Sequence, residues 1–202
     1  IELVGFYDFK DHLISIDELS ASFGGTQFEG DGLIEFSNEV GLGVSFIGDL
    51  EETSIRTLLN YWPPKVAKGG RDWIDANIPE GIISSAKFTI DIKPGDLIIK
   101  PLPKNAFRVD FQFDDLKAHY LRPMPIIERS SGYGHTTSDY LEVNIEKGTS
   151  DGLNFAKSVF KIKQMADSIK RHGFVSLKTE GRVRKVLQFI DKDPLNFTSR
   201  FG

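Results

Sequence analysis

The side chains that most often do chemistry are few and scattered in this chain. Its four histidines, His12, His119, His135 and His172, keep no metal-ligand spacing, and the absence of cysteine removes thiolate catalysis, disulfides and sulfur-ligated zinc. Isolated polar residues mostly sit on surfaces, and all four histidines are read that way. Asp115 and His119 would share a face of a helix, but they stand in sequence that alternates like a strand, where the two are only weakly coupled. The paired acids Asp114-Asp115 and Glu51-Glu52 are of the type used by glycosidases, yet adjacent carboxylates in a strand point to opposite faces. Ser130 to Ser138, SSGYGHTTS, has glycines and hydroxyls without the lysine of a phosphate loop and reads as a polar loop. The reading is that no zinc-protease signature, no dinucleotide fingerprint and no G-x-S-x-G nucleophile elbow occurs. The expectation is a protein without catalytic residues, metal or cofactor.

What the sequence does supply is strands, each with one apolar face. From Ile1 to Leu50 the pattern has period two: Ile14 and Ile16, Leu19, Ala21 and Phe23, Phe28 to Phe36, and Val40 to Phe46, with glycine-rich turns between. Ile82, Ser84, Ala86, Phe88, Ile90 and Ile92 share another face. Phe107, Val109, Phe111 and Phe113, alternating with Arg108, Asp110 and Gln112, form the cleanest strand of all. Leu141, Val143 and Ile145 make a further strand, Leu153 and Phe155 the next, Phe160 and Ile162 another, and Phe174 to Thr179 follows.

Three short helices interrupt this. Ile55, Leu58, Leu59 and Trp62 have the i, i+3, i+4, i+7 spacing of an amphipathic helix, and Val183, Val186, Leu187 and Ile190 repeat it inside Arg182 to Pro194. Each follows strands and ends at proline, the mark of an internal repeat whose unit exceeds 100 residues. Between them lies Tyr61 to Gly81, with both tryptophans: prolines 63 and 64 should open a helix there, Trp73 and Ile74 should lie against the sheet, and Gly69-Gly70 should mark a close backbone approach. The organisation expected is one β-rich segment over 1–202: a first repeat portion at 1–60, a helical insert at 61–81 and a second repeat portion at 82–202.

Composition narrows the partners. A net charge of −4 and a pI near 5.6 disfavour nucleic acid, whose phosphates need a basic face. No run of about 18 apolar residues could span a membrane. The first residue, Ile1, and an ending at Arg200-Phe201-Gly202 in strand-like sequence suggest a piece of a longer chain. Helices so short cannot cover about ten strands. The sheet therefore closes on itself, buries its face against a partner, or curls into an open groove that holds something oily.

Four stretches carry a resemblance: YWPPKVAKGGRDWIDANIPEGIISSAKFTI from Tyr61, FRVDFQFDDLKAHYLRPMPIIERSSGYG from Phe107, LEVNIEKGTSDGL from Leu141, and GRVRKVLQFIDKDPLNF from Gly181. Together they resemble the AsmA-like region of YhdP-type bacterial envelope proteins, which are related to TamB. The resemblance implies a mainly β fold, an extended, curled antiparallel sheet shaped like a groove or taco, with about three short helices packed at its ends or edge. It implies a periplasmic location within an inner-membrane-anchored protein, a role in phospholipid transport between membranes and in outer-membrane homeostasis, and no catalytic residues. Partners would be phospholipid acyl chains and flanking segments of the same chain. The lipid-groove candidates are Phe88, Ile90, Phe107, Val109, Phe111, Phe113, Leu141, Val143 and Ile145. The alternative is a non-enzymatic structural or assembly module with a closed β core.

Overall fold

A computed structural model describes residues 1–165, 167, 169–197 and 200. One antiparallel sheet of twelve strands contains almost every strand residue, and it does not close. Its main path runs β1 (Glu2–Asp8), β2 (Leu13–Phe23), β3 (Thr26–Ser37), β4 (Gly41–Leu50), β6 (Glu80–Ile92), β7 (Phe107–Ala118), β8 (Ile127–Thr137), β9 (Tyr140–Ser150), β10 (Leu153–Lys163) and β11 (His172–Ser176). Two-residue strands β5 (Thr53–Ser54) and β12 (Thr179–Glu180) pair with β6 and β10. The closed β core is thereby overturned: β1 and β11 stand at the two edges of an open sheet.

Three helices lie along one flank of it: α1 (Ile55–Tyr61), α2 (Lys68–Asn77) and α3 (Val183–Ile190). Ser54 caps α1, its Oγ accepting from Thr57 N at 3.0 Å. Beneath α1, Ile55 packs with Phe113, Leu116, Ala118 and Ile127. Beneath α3, Phe189 packs with Met124, Leu153 and Phe155, its ring centroid 5.5 Å from that of Phe155. Each fully buried side chain of this size contributes about 1.5–3 kcal/mol, so these clusters anchor the covered flank.

Two hairpins set their turns against helices in similar ways. The β2–β3 hairpin turns on Gly24-Gly25 (φ 58° and 86°) and the β9–β10 hairpin on Asp151-Gly152 (φ 49° and 77°), both with the paired positive φ of a twist-matched two-residue turn. Each turn sits against a helix. Gly24 abuts Thr57 of α1 so closely that a Cβ there would stand 2.7 Å from its Cγ2. Asp151 receives Lys185 Nζ of α3 at 3.4 Å and, from just past its end, Lys192 Nζ at 2.6 Å.

Several local expectations change. SSGYGHTTS is not a loop; it lies in β8, in the middle of the sheet. Leu153 and Phe160 belong to one strand, β10, within which Lys157 takes φ 50° and is skipped by the ladder, so Phe155 and Ser158 are both buried. In β6 a register shift between Ile83 and Ser85 puts Ile83, not Ile82 or Ser84, opposite Phe113. Prolines 63 and 64 form a turn ahead of α2, which starts only after Ala67 at φ 44°. A Cβ at Gly69 or Gly70 would meet open space, so no close approach explains them.

Helix roll also differs. Arg71 donates to Leu59 O (3.1 Å) and Trp62 O (3.3 Å), which turns Ile74 and Ile78 toward the core and leaves Trp73 41% exposed. Lys185 on α3 and Lys192 just past its end, both bound to Asp151, set its roll, so Val186, Phe189 and Ile190 face inward while Val183 is 74% and Leu187 54% exposed. Arg200 donates its N–H to Asn196 O, and the rest of the strand-like ending lies outside the described residues.

Candidate functional site: an apolar trough

Alternation puts every second side chain of each strand on one face, and the register lines these up from strand to strand. One row runs Phe46, Ile90, Phe107; the next runs Phe88, Val109, Thr136, Leu141, Ile162; the next runs Phe28, Leu50, Ala86, Phe111, Gly134, Val143, Phe160. All nine candidates named from the sequence fall on this face. From β3 to β10 the face carries no charged side chain in these rows.

The nine are not equivalent. Phe113 is 4% exposed, sealed under Ile55 of α1. Phe111, Val143 and Ile145 come next, half-buried against that same cluster. Phe88, Ile90, Phe107, Val109 and Leu141 are half-buried and lie outside that cluster. The face thus passes from a closed core on the helix flank to an open apolar surface on the other.

Its floor is made smooth by glycine. Gly30, Gly48 and Gly134 occupy inner positions, and aromatic rings lie over them: a Cβ at Gly48 would stand 2.7 Å from Phe46 Cε1 and 2.9 Å from Phe28 Cζ. Phe28 and Phe46 are stacked with centroids 6.0 Å apart, and Phe88 meets Phe28 edge-on at 6.2 Å. The rings lie down because the neighbouring strand offers backbone instead of side chain.

Charge is confined to the other face. Asp110, His135, Glu142 and Lys161 are direct partners across β7 to β10. Tyr140 Oη and Lys161 Nζ (2.9 Å) both donate to Glu142, which holds its carboxyl down to about 2. Arg108, donating through Nε at 2.6 Å, holds Asp110 below the usual carboxylate range.

Catalytic constellations gain nothing here. Asp115 stands exposed on a bulge at φ 47°, and the backbone N–H of His119 donates to Asn77 O. Gly148-Thr149-Ser150-Asp151-Gly152 does spell G-x-S-x-G, which corrects the reading that no such pattern is present. It forms a β-hairpin, however, and Ser150 is buried with Oγ donating to Ile126 O at 2.8 Å, so it lacks the strand-to-helix turn that exposes a nucleophile. Among the described residues no group of three or more His, Asp or Glu could hold a metal.

The sequence model of the YhdP protein family matches residues 7–200. The chain belongs to the YhdP family. This is a family of envelope proteins linked to lipid transport, and among the described residues no helix is long and apolar enough to cross a membrane. No curated protein and no solved structure matches the chain.

Tyr120, which the sequence reads as extending the alternation of Leu116 and Ala118, lies past the end of β7 in the β7–β8 connection. It touches both core clusters, and its Oη, buried, has no hydrogen-bond partner among the described residues. Burial pushes its phenol up to about 12. The alternation placed the residue, but not the loss of a partner for its hydroxyl.

Proposed function

We propose that this chain is a stretch of the lipid-carrying trough of a periplasmic protein anchored in the inner membrane. The protein passes phospholipid between inner and outer membranes, supports outer-membrane homeostasis and catalyses no reaction. The observation that carries this reading is the uncharged inner face, only half-buried along Phe88, Ile90, Phe107, Val109 and Leu141. A contiguous apolar face left partly open to solvent favours a binding surface. Acyl chains laid on it gain about 0.8 kcal/mol per buried CH₂. Family membership supports the same reading. Flanking segments of the longer chain continue the trough.

Val109→Asp tests it, because Val109 lies in the trough away from the helix-covered core. The protein is incubated with vesicles of phosphatidylethanolamine and phosphatidylglycerol, re-isolated and weighed by native mass spectrometry. The variant should retain at least about tenfold less lipid, since an unpaired carboxylate among acyl chains costs several kcal/mol. Gln112→Asp, exposed on the opposite face, should retain as much as the parent. Equal retention by Val109→Asp, with its strand circular dichroism intact, sinks the proposal.

A further inference from the structure

The β6–β7 connection, residues 93–106, leaves the sheet beside Ile90 and Phe107, a cross-strand pair of the trough, at the far end of those strands from α1. It is pinned on both sides. Ser138 Oγ, in the β8–β9 turn, donates to Pro103 O at 2.7 Å, and Ala106, fully buried, donates its N–H to the same oxygen at 3.0 Å. On the other side a Cβ at Gly43 of β4 would stand 2.6 Å from Pro94 Cδ. Yet the 3-10 turn held there, Asp96–Ile98, and the residue after it present three consecutive large apolar side chains to solvent. Leu97 is 49%, Ile98 73% and Ile99 55% exposed.

Exposed lysines flank them: Lys93, Lys100 and Lys104, the last also 3.4 Å from Asp139. The connection's one acid, Asp96, accepts the N–H of Lys93 at 2.9 Å. Three lysines less one aspartate leave the connection at +2 in a chain of −4. Apolar side chains at a tip, with long cationic stems beside them, suit the boundary where acyl chains meet anionic headgroups. We propose that this tip docks the protein on an anionic membrane surface, Leu97, Ile98 and Ile99 entering the boundary while Lys93 and Lys100 meet lipid phosphates. The proposal rests on the reading of the trough as a lipid carrier, because docking there sets the Ile90–Phe107 end of the apolar face at the membrane.

Vesicle co-sedimentation tests it. The parent should bind vesicles of phosphatidylethanolamine with phosphatidylglycerol about tenfold more tightly than vesicles of phosphatidylcholine, and added salt should weaken that binding. Ile98→Asp should bind the anionic vesicles about tenfold less tightly, and Lys93→Glu combined with Lys100→Glu should lose the preference for them. All three side chains are exposed, so strand circular dichroism should stay unchanged. Lysophosphatidylethanolamine supplied below its micelle concentration separates docking from carriage: Ile98→Asp should load it as the parent does, whereas Val109→Asp should not. Equal vesicle binding by Ile98→Asp and the parent overturns the docking tip and leaves the trough standing. Vesicle binding that depends on Ile98, in a parent that loads no lysolipid, supports the tip and overturns the trough. A parent dimer that Ile98→Asp splits in sedimentation equilibrium, with vesicle binding unmoved, makes the tip a contact between copies and overturns the proposal.

Discussion

The ring of Phe111 lies over Gly134 of the neighbouring strand, so close that a Cβ at Gly134 would stand 2.7 Å from its Cζ and 2.5 Å from Glu142 O. The backbone oxygen cannot move aside cheaply, so Gly134→Ala should cost roughly 1–3 kcal/mol by overpacking. A urea titration should show a lower midpoint with an unchanged slope. Stability equal to the parent would mean the ring does not lie there.

Phe189 and Trp73 make a contrasting pair. Phe189, 2% exposed against Phe155, should lose about 3–5 kcal/mol on truncation to alanine. Trp73→Ala should cost less than about 1 kcal/mol, because a side chain 41% exposed leaves no closed cavity. Equal losses in chemical denaturation would place Trp73 in the core after all.

Tyr120→Phe should stabilise the protein. It removes a buried hydroxyl that has no partner among the described residues, a group that costs about 1–3 kcal/mol to desolvate. A melting temperature raised by a few degrees is the expected reading; a lowered one would reveal a hydrogen bond at Oη.

Acid should weaken the outer face through Glu142. Its folded carboxyl, held to about 2 by Tyr140 and then Lys161, lies below the usual glutamate value, so its stabilisation is full above about pH 4.5 and disappears as pH falls toward 2. Stability of the parent should drop more over that window than that of Glu142→Gln. Tyr140→Phe should shift the Glu142 carbon titration upward in NMR, and a titration unmoved by that substitution would disprove the coupling.

Much of this was legible in the residues, and the failures have physical causes. Phe107 to Phe113 announces itself because every inner position carries a large side chain. β8 hides because its inner positions include Gly132 and Gly134, where the neighbour's ring or backbone takes the place of a side chain. The nine trough candidates share a face because alternation alone assigns faces. Which of them is sealed could not be read, since the seal over Phe113 comes from Ile55, 58 positions earlier in the sequence. Helix roll was illegible for the same reason: Asp151 turns α3 through Lys185 and Lys192, and Arg71 turns α2, both contacts outside the local period.

The ten-strand path has a consequence for capacity. Nine inter-strand steps of about 4.8 Å carry the inner face roughly 43 Å from β1 to β11, measured along the sheet. The tails of one bilayer leaflet reach only about 15 Å, half of a hydrocarbon core some 30 Å thick. Under the proposed reading, a single lipid lying across the strands would occupy a fraction of the surface and leave room for a second and third, so the number held would scale with the number of strands.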